Sequence, residues 1–134
     1  MAYQFTKDLE TGNINIDVQH KELITAINNL LDACGQGKGR AQIVETARFL
    51  ENYTIKHFAD EEKLQIQSKY PDYTNHKQLH ESFKKTVAQI VKKLEAQGPT
   101  VALVGEINSV LAGWLINHIK REDKKLAEHI KNSK

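Results

Sequence analysis

The stretch from His57 to His80 reads HFADEEKLQIQSKYPDYTNHKQLH. It holds a His-x-x-x-Glu pair, His57 and Glu61, then a turn containing Pro71, then a His-x-x-x-His pair, His76 and His80. Residues four apart on a helix share a face, with roughly 5–6 Å between their Cβ atoms. Each pair can therefore aim two metal-binding groups the same way. Two such helices joined by a short turn supply half of a metal site and half of a helical bundle.

The flanking sequence predicts the rest of an all-α, up-down-up-down four-helix bundle. Residues 1–16 read as a non-helical arm anchored by Tyr3, Phe5, Ile14 and Ile16, and residues 17–130 as the bundle of a single domain spanning 1–134. Asp17 is the expected N-cap of a first helix whose stripe is His20, Ile24, Ile27, Leu31 and Cys34, spaced by 4, 3, 4 and 3. Gly35, Gly37 and Gly39 mark a turn. The second helix carries Ile43, Ala47, Leu50, Thr54, His57, Glu61 and Leu64 on its inward face. The third carries His76, His80, Phe83, Val87, Ile90 and Leu94. Gly98-Pro99 stops it, and Thr100 caps a fourth with Val104, Ile107, Leu111, Trp114, Leu115 and His118. The stripe of the second helix places two ionisable groups, His57 and Glu61, where apolar ones are expected, which is costly unless the groups are paired or bound to metal.

Composition narrows the function. Hydrophobic residues make up 40% and charged residues 27%, with a net charge of +2 and no basic cluster suited to nucleic acid. No apolar run approaches the roughly 20 residues of a membrane span, and the first residues lack a secretory pattern. The single cysteine, Cys34, suits a reducing cytoplasm and reads as a small buried apolar residue. A monomer is expected, with no protein partner named by the sequence.

In an up-down-up-down bundle the start of helix one, the end of two, the start of three and the end of four share one end. His20, His57, His76, His80 and His118 all fall there, each on an inward stripe. A lone histidine is ordinarily a satisfied core or surface residue, but five converging on one end are not scattered. His129 lies too far along the fourth helix to join them and reads as a surface residue. Five imidazoles exceed one tetrahedral zinc site and suit two metals bridged by carboxylates. Glu61 is one bridge. By α-helical spacing the second is Glu122, four residues after His118, because Asp123 stands about 140° round the helix.

IDVQH (16–20), HFADEE (57–62), YPDYTNHKQLH (70–80) and WLINHIKRED (114–123) together resemble the bacterial hemerythrins over nearly the whole chain. That resemblance implies a four-helix bundle with a non-haem di-iron site that binds dioxygen reversibly as a carrier, store or sensor. Its His-x-x-x-x-Asp pattern lands on Asp123 rather than Glu122. It implies that His76, His80 and His118 hold a filled iron. His20 and His57 hold one with an open position. Glu61, Asp123 and an oxo or hydroxo group bridge the pair. Leu23, Phe58, Trp114, Leu115 and Ile119, each close in sequence to a ligand, are expected to line a dry oxygen pocket, with Leu115 over the oxygen. The resemblance implies a binding protein rather than an enzyme, with weak oxidase or peroxidase activity compatible. The alternatives are a di-iron enzyme acting on peroxide or nitric oxide, and an iron-handling protein. Tyr3 and Phe5 stand where many relatives carry tryptophan, and Leu64 where many carry methionine.

Overall fold

The computed structural model describes residues 3–37 and 39–132. The first two residues of the expected arm lie outside these. Four helices make up the bundle: α1 (Ile14–Gly35), α2 (Arg40–Gln67), α3 (Tyr73–Gln97) and α4, which runs through residues 101–132. Neighbours in sequence pack together, and α4 closes the ring against α1 and α3. Among the described residues no helix is long and apolar enough to cross a membrane.

The first helix begins earlier than the arm boundary at residue 16 predicts. Asn13 is the N-cap, its side chain accepting from the Ile16 N–H at 3.1 Å. The Asp17 carboxylate instead folds back and accepts from the Thr11 N–H and hydroxyl at 2.9 and 2.7 Å. It braces the approach to the helix while its charge favours the first turn. Of the expected arm anchors, Tyr3 and Phe5 pack against the core and Ile16 is buried, but Ile14 is 78% exposed. Leu9, in a single 3₁₀ turn (Lys7–Leu9), does the anchoring instead. The lower part of the α1 stripe also rotates. Leu30 and Ala33 are buried, whereas Leu31 and Cys34 are half-buried, so Cys34 is not a core residue.

The turn between α2 and α3 is built by the backbone. Lys69 takes a left-handed φ of 56°. The Tyr70 N–H donates to the Gln65 carbonyl at 2.9 Å and the Lys69 N–H to the Ile66 carbonyl at 3.2 Å. These two bonds are a Schellman stop, and Pro71 follows where the helix cannot continue. A non-glycine residue in this conformation costs roughly 1 kcal/mol. Tyr70 is buried against Ile16 and Leu126, tying the turn to α1 and α4. Thr100 caps α4 as expected, accepting from the Leu103 N–H at 3.1 Å.

The stripes of α2 and α3 match their periodicity except that Gln65, not Leu64, is buried. The fourth helix does not keep an α-helical period. Leu103, Ile107, Leu111, Leu115, Ile119, Asp123 and Ala127 are all buried, at a constant spacing of four. In a regular α-helix each four-residue step overshoots a full turn by ~40°, so six steps would drift by ~240°. Two π-helical stretches, Ile107–Ala112 and Ile119–Asp123, remove most of that drift. Each inserts one extra residue and takes back ~100°. The helix therefore continues past His118 with one face held inward.

Candidate metal centre

The second π stretch decides which carboxylate enters the site. It begins directly after His118 and ends on Asp123, so the residue five positions on replaces the one four positions on as the helical neighbour. The His118 Nε2 lies 3.1 Å from Asp123 Oδ1, and Asp123 is 1% exposed. Glu122, the choice from α-helical spacing, is only half-buried and is absent from the buried clusters.

Seven buried side chains form two sets that share two carboxylates: Glu61, His76, His80, His118 and Asp123, and His20, His57, Glu61 and Asp123. The oxygens divide between them. Glu61 Oε1 lies 3.3 Å from His76 Nε2 and 3.1 Å from His80 Nε2, and Asp123 Oδ1 lies 3.1 Å from His76 Nε2. On the other side, Glu61 Oε2 lies 3.2 Å from His57 Nε2 and 3.8 Å from His20 Nε2, and Asp123 Oδ2 lies 2.8 Å from His20 Nε2. Each carboxylate thus sends one oxygen to a three-histidine set and the other to a two-histidine set.

The donor set fits a pair of metal ions. His76 Nε2 and His118 Nε2 face each other at 2.9 Å. Ligand bonds of about 2.1 Å at right angles put neighbouring donors about 3.0 Å apart, the spacing found here. Both Glu61 oxygens, Asp123 Oδ2, and the Nε2 atoms of His20, His57 and His80 are buried without a hydrogen-bond partner. Such groups are rare in proteins unless something binds them.

Without metal the site balances itself with protons. Burial pushes the Glu61 carboxyl up, but the His57 charge and the close imidazoles of His20, His57 and His76 hold it well below the carboxylate range. Asp123 is also held low, because His118 and His20 outweigh burial and the Glu61 charge. Burial pushes the imidazoles of His20 and His76 down, yet the two carboxylates lift each to about 9.

An outer shell holds two of the rings. His57 Nδ1 meets Gln19 Oε1 at 2.7 Å, and Gln19 Nε2 donates to Asp60 Oδ2 at 2.9 Å. His80 Nδ1 meets Glu62 Oε2 at 3.0 Å. The stripe patterns did not point to these residues. Gln19 and Glu62 each sit beside a ligand in sequence but serve a histidine on another helix, and adjacency in sequence does not report that.

The five expected pocket residues separate into two groups. Phe58 stacks on His80, with ring centroids 3.8 Å apart and planes within 2°. Trp114 stacks on His118 at 4.4 Å and 11°. Both brace the three-histidine set. Leu23, Leu115 and Ile119 are buried in the core, and Leu115 lines an apolar seam with Tyr3, Ile24, Ile27, Ala112 and Ile116. His129 stays out of the cluster but is more than a surface residue. Its Nε2 lies 2.7 Å from the Ser68 carbonyl, joining the end of α4 to the α2 terminus.

The family profile described as Hemerythrin HHE cation binding domain matches residues 11–130. A bacteriohemerythrin of Pseudomonas aeruginosa is 38% identical over 94% of this chain and 80% of its own length. Another, from Stenotrophomonas maltophilia, is 35% identical over 92% and 78%. A crystal structure of wild-type hemerythrin superposes with a TM-score of 0.86 at 27% identity, covering 97% of this chain and 98% of that one.

Proposed function

The chain belongs to the hemerythrin family, and from that membership we propose that it binds dioxygen reversibly at a non-haem di-iron centre. The observation that carries the reading is the division of Glu61 and Asp123 between a three-histidine and a two-histidine set. In this reading His76, His80 and His118 would hold one iron and His20 and His57 the other, with Glu61 and Asp123 each offering an oxygen to both. Imidazole donors suit iron. Once bound, the pair supplies two electrons and a vacant coordination position for dioxygen.

The chain's own residues do the rest. The first set would offer one iron five donors, three imidazoles and two carboxylate oxygens. The second set offers one imidazole fewer and so leaves room for a small ligand. Leu23, Leu115 and Ile119 exclude water on the apolar side, where charged oxidation products are poorly solvated. Phe58 and Trp114 fix the rings of His80 and His118 by stacking. The centre is rich in histidine and has two bridging carboxylates. Oxygen-activating di-iron bundles instead use Glu-x-x-His pairs with further glutamates. That difference supports binding over oxidation chemistry, as a carrier, store or sensor. The half-buried Cys34 thiol supports a reducing cytoplasm.

The test is optical. Protein loaded anaerobically with ferrous iron is exposed to air and then degassed. A visible charge-transfer band that rises and then disappears over repeated cycles is the expected result. A single irreversible change with peroxide release would overturn the reading in favour of a di-iron enzyme.

A further inference from the structure

We propose that Gln19 and Glu62 are positioning residues that make the two metal positions electronically unequal, a neutral amide standing behind one set and a carboxylate behind the other. The inference rests on the di-iron reading and deepens it. A carboxylate at neutral pH offers only acceptors. Asp60 therefore requires the amide nitrogen of Gln19 to face it, at 2.9 Å, and the amide oxygen to face His57, at 2.7 Å. That oxygen in turn requires a proton on His57 Nδ1, which leaves Nε2, 3.2 Å from Glu61 Oε2, as the nitrogen that would turn its lone pair to a metal. The same logic runs through Glu62. Its carboxylate accepts from His80 Nδ1 at 3.0 Å and frees Nε2 towards Glu61 at 3.1 Å.

Among the described residues these outer hydrogen bonds fall on His57 in one set and His80 in the other. His20 Nδ1 and His76 Nδ1 are buried without a hydrogen-bond partner, so they provide no comparable handle. A carboxylate behind a ligating imidazole raises its basicity and favours the more oxidised metal. An amide orients the ring without adding that charge. The three-histidine position is thus biased towards the ferric state and the two-histidine position, where a small ligand would bind, is not. Glu62 is mostly buried, with its side chain 15% exposed, so water screens its charge on His80 only partly.

The experiment loads the iron-free 134-residue chain anaerobically with ferrous iron against a competing chelator, then measures the midpoint potentials of the bound irons. Gln19→Leu is expected to weaken one of the two irons by about 10- to 100-fold. The paired change Gln19→Glu with Asp60→Asn reverses the polarity of the chain and is expected to restore loading, with one midpoint shifted downward. Glu62→Gln is expected to keep two irons and shift one midpoint upward. Loading of Gln19→Leu within twofold of the parent, or midpoints unchanged in both charge-altering proteins, would overturn the proposal. If Gln19→Leu loses its helical structure, the two charge-altering proteins decide. A parent protein that takes up no pair of irons would defeat the di-iron reading itself, a result distinct from variants that behave like a loaded parent.

Discussion

At one end of the bundle Leu30, Ile43, Leu94, Leu103 and Ile107 fill the space between four helices with hydrocarbon alone. At the other end the same space holds five imidazoles and two carboxylates, all 5% exposed or less. The helices are the same; what differs is how each end is held together. The apolar end gains its stability from burial as soon as it forms. The polar end must keep charged groups out of water, which costs several kcal/mol per ion unless partners offset it. A bound metal pair would offset it, and without metal the protons on His20 and His76 do so in part. One end therefore fixes the fold, and the other depends on what it binds.

The largest effect should come from cutting the shared ligand. Asp123→Ala removes an oxygen from each set at once and is expected to lower metal retention by more than about 100-fold, beyond the range for outer-shell losses. Glu122→Ala, one residue away, should retain metal like the parent. Metal analysis after gel filtration distinguishes them, and the opposite pattern would mean that the π stretch does not set the register of α4.

The converse change falls at the apolar end. Leu94 is fully buried and lies 14 residues beyond His80, roughly 21 Å along α3. Leu94→Ala should cost about 2–5 kcal/mol in chemical denaturation with an unchanged metal-to-protein ratio. A loss of metal in proportion to stability would show that the two ends are not separable.

A smaller effect is expected from pH on the metal-free chain. His20 and His76 have folded values of about 9 against 6.5 for the free group. Their contribution is fully present below pH 6.5 and is lost as pH rises through 9. Glu61 and Asp123, held low, contribute above the ordinary carboxylate range and lose that contribution in acid. Metal-free protein should therefore show a Tm that falls between pH 6.5 and 9.5, while metal-loaded protein, whose ligands carry no such protons, stays level there. A level Tm in the metal-free protein would break the contrast between the ends.

How much of this was legible in the sequence depended on the helix. The α3 stripe from His76 to Leu94 follows the 4-3 rhythm, and every member is buried. The residue types and their shared end of the bundle located five histidines and Glu61. Asp123 escaped the α-helical rule because the helix there is not α. The signal was present nonetheless, as a run from Leu103 to Asp123 at a constant spacing of four. The start of α1 was misplaced for a local reason. Asn13 and Asp17 are both good capping residues, and only the fold back onto Thr11 assigns them different tasks. The outer-shell roles of Gln19 and Glu62 depend on which helix faces which, and that information is tertiary.

Anomalous diffraction from crystals of the iron-loaded protein tests most directly whether Glu61 and Asp123 are shared by two metals. The expected result is two iron peaks about 3.5–4 Å apart, each bound by one oxygen of Glu61 and one of Asp123, with three imidazoles on one and two on the other. A single peak, or a pair in which Glu122 takes the place of Asp123, would contradict it.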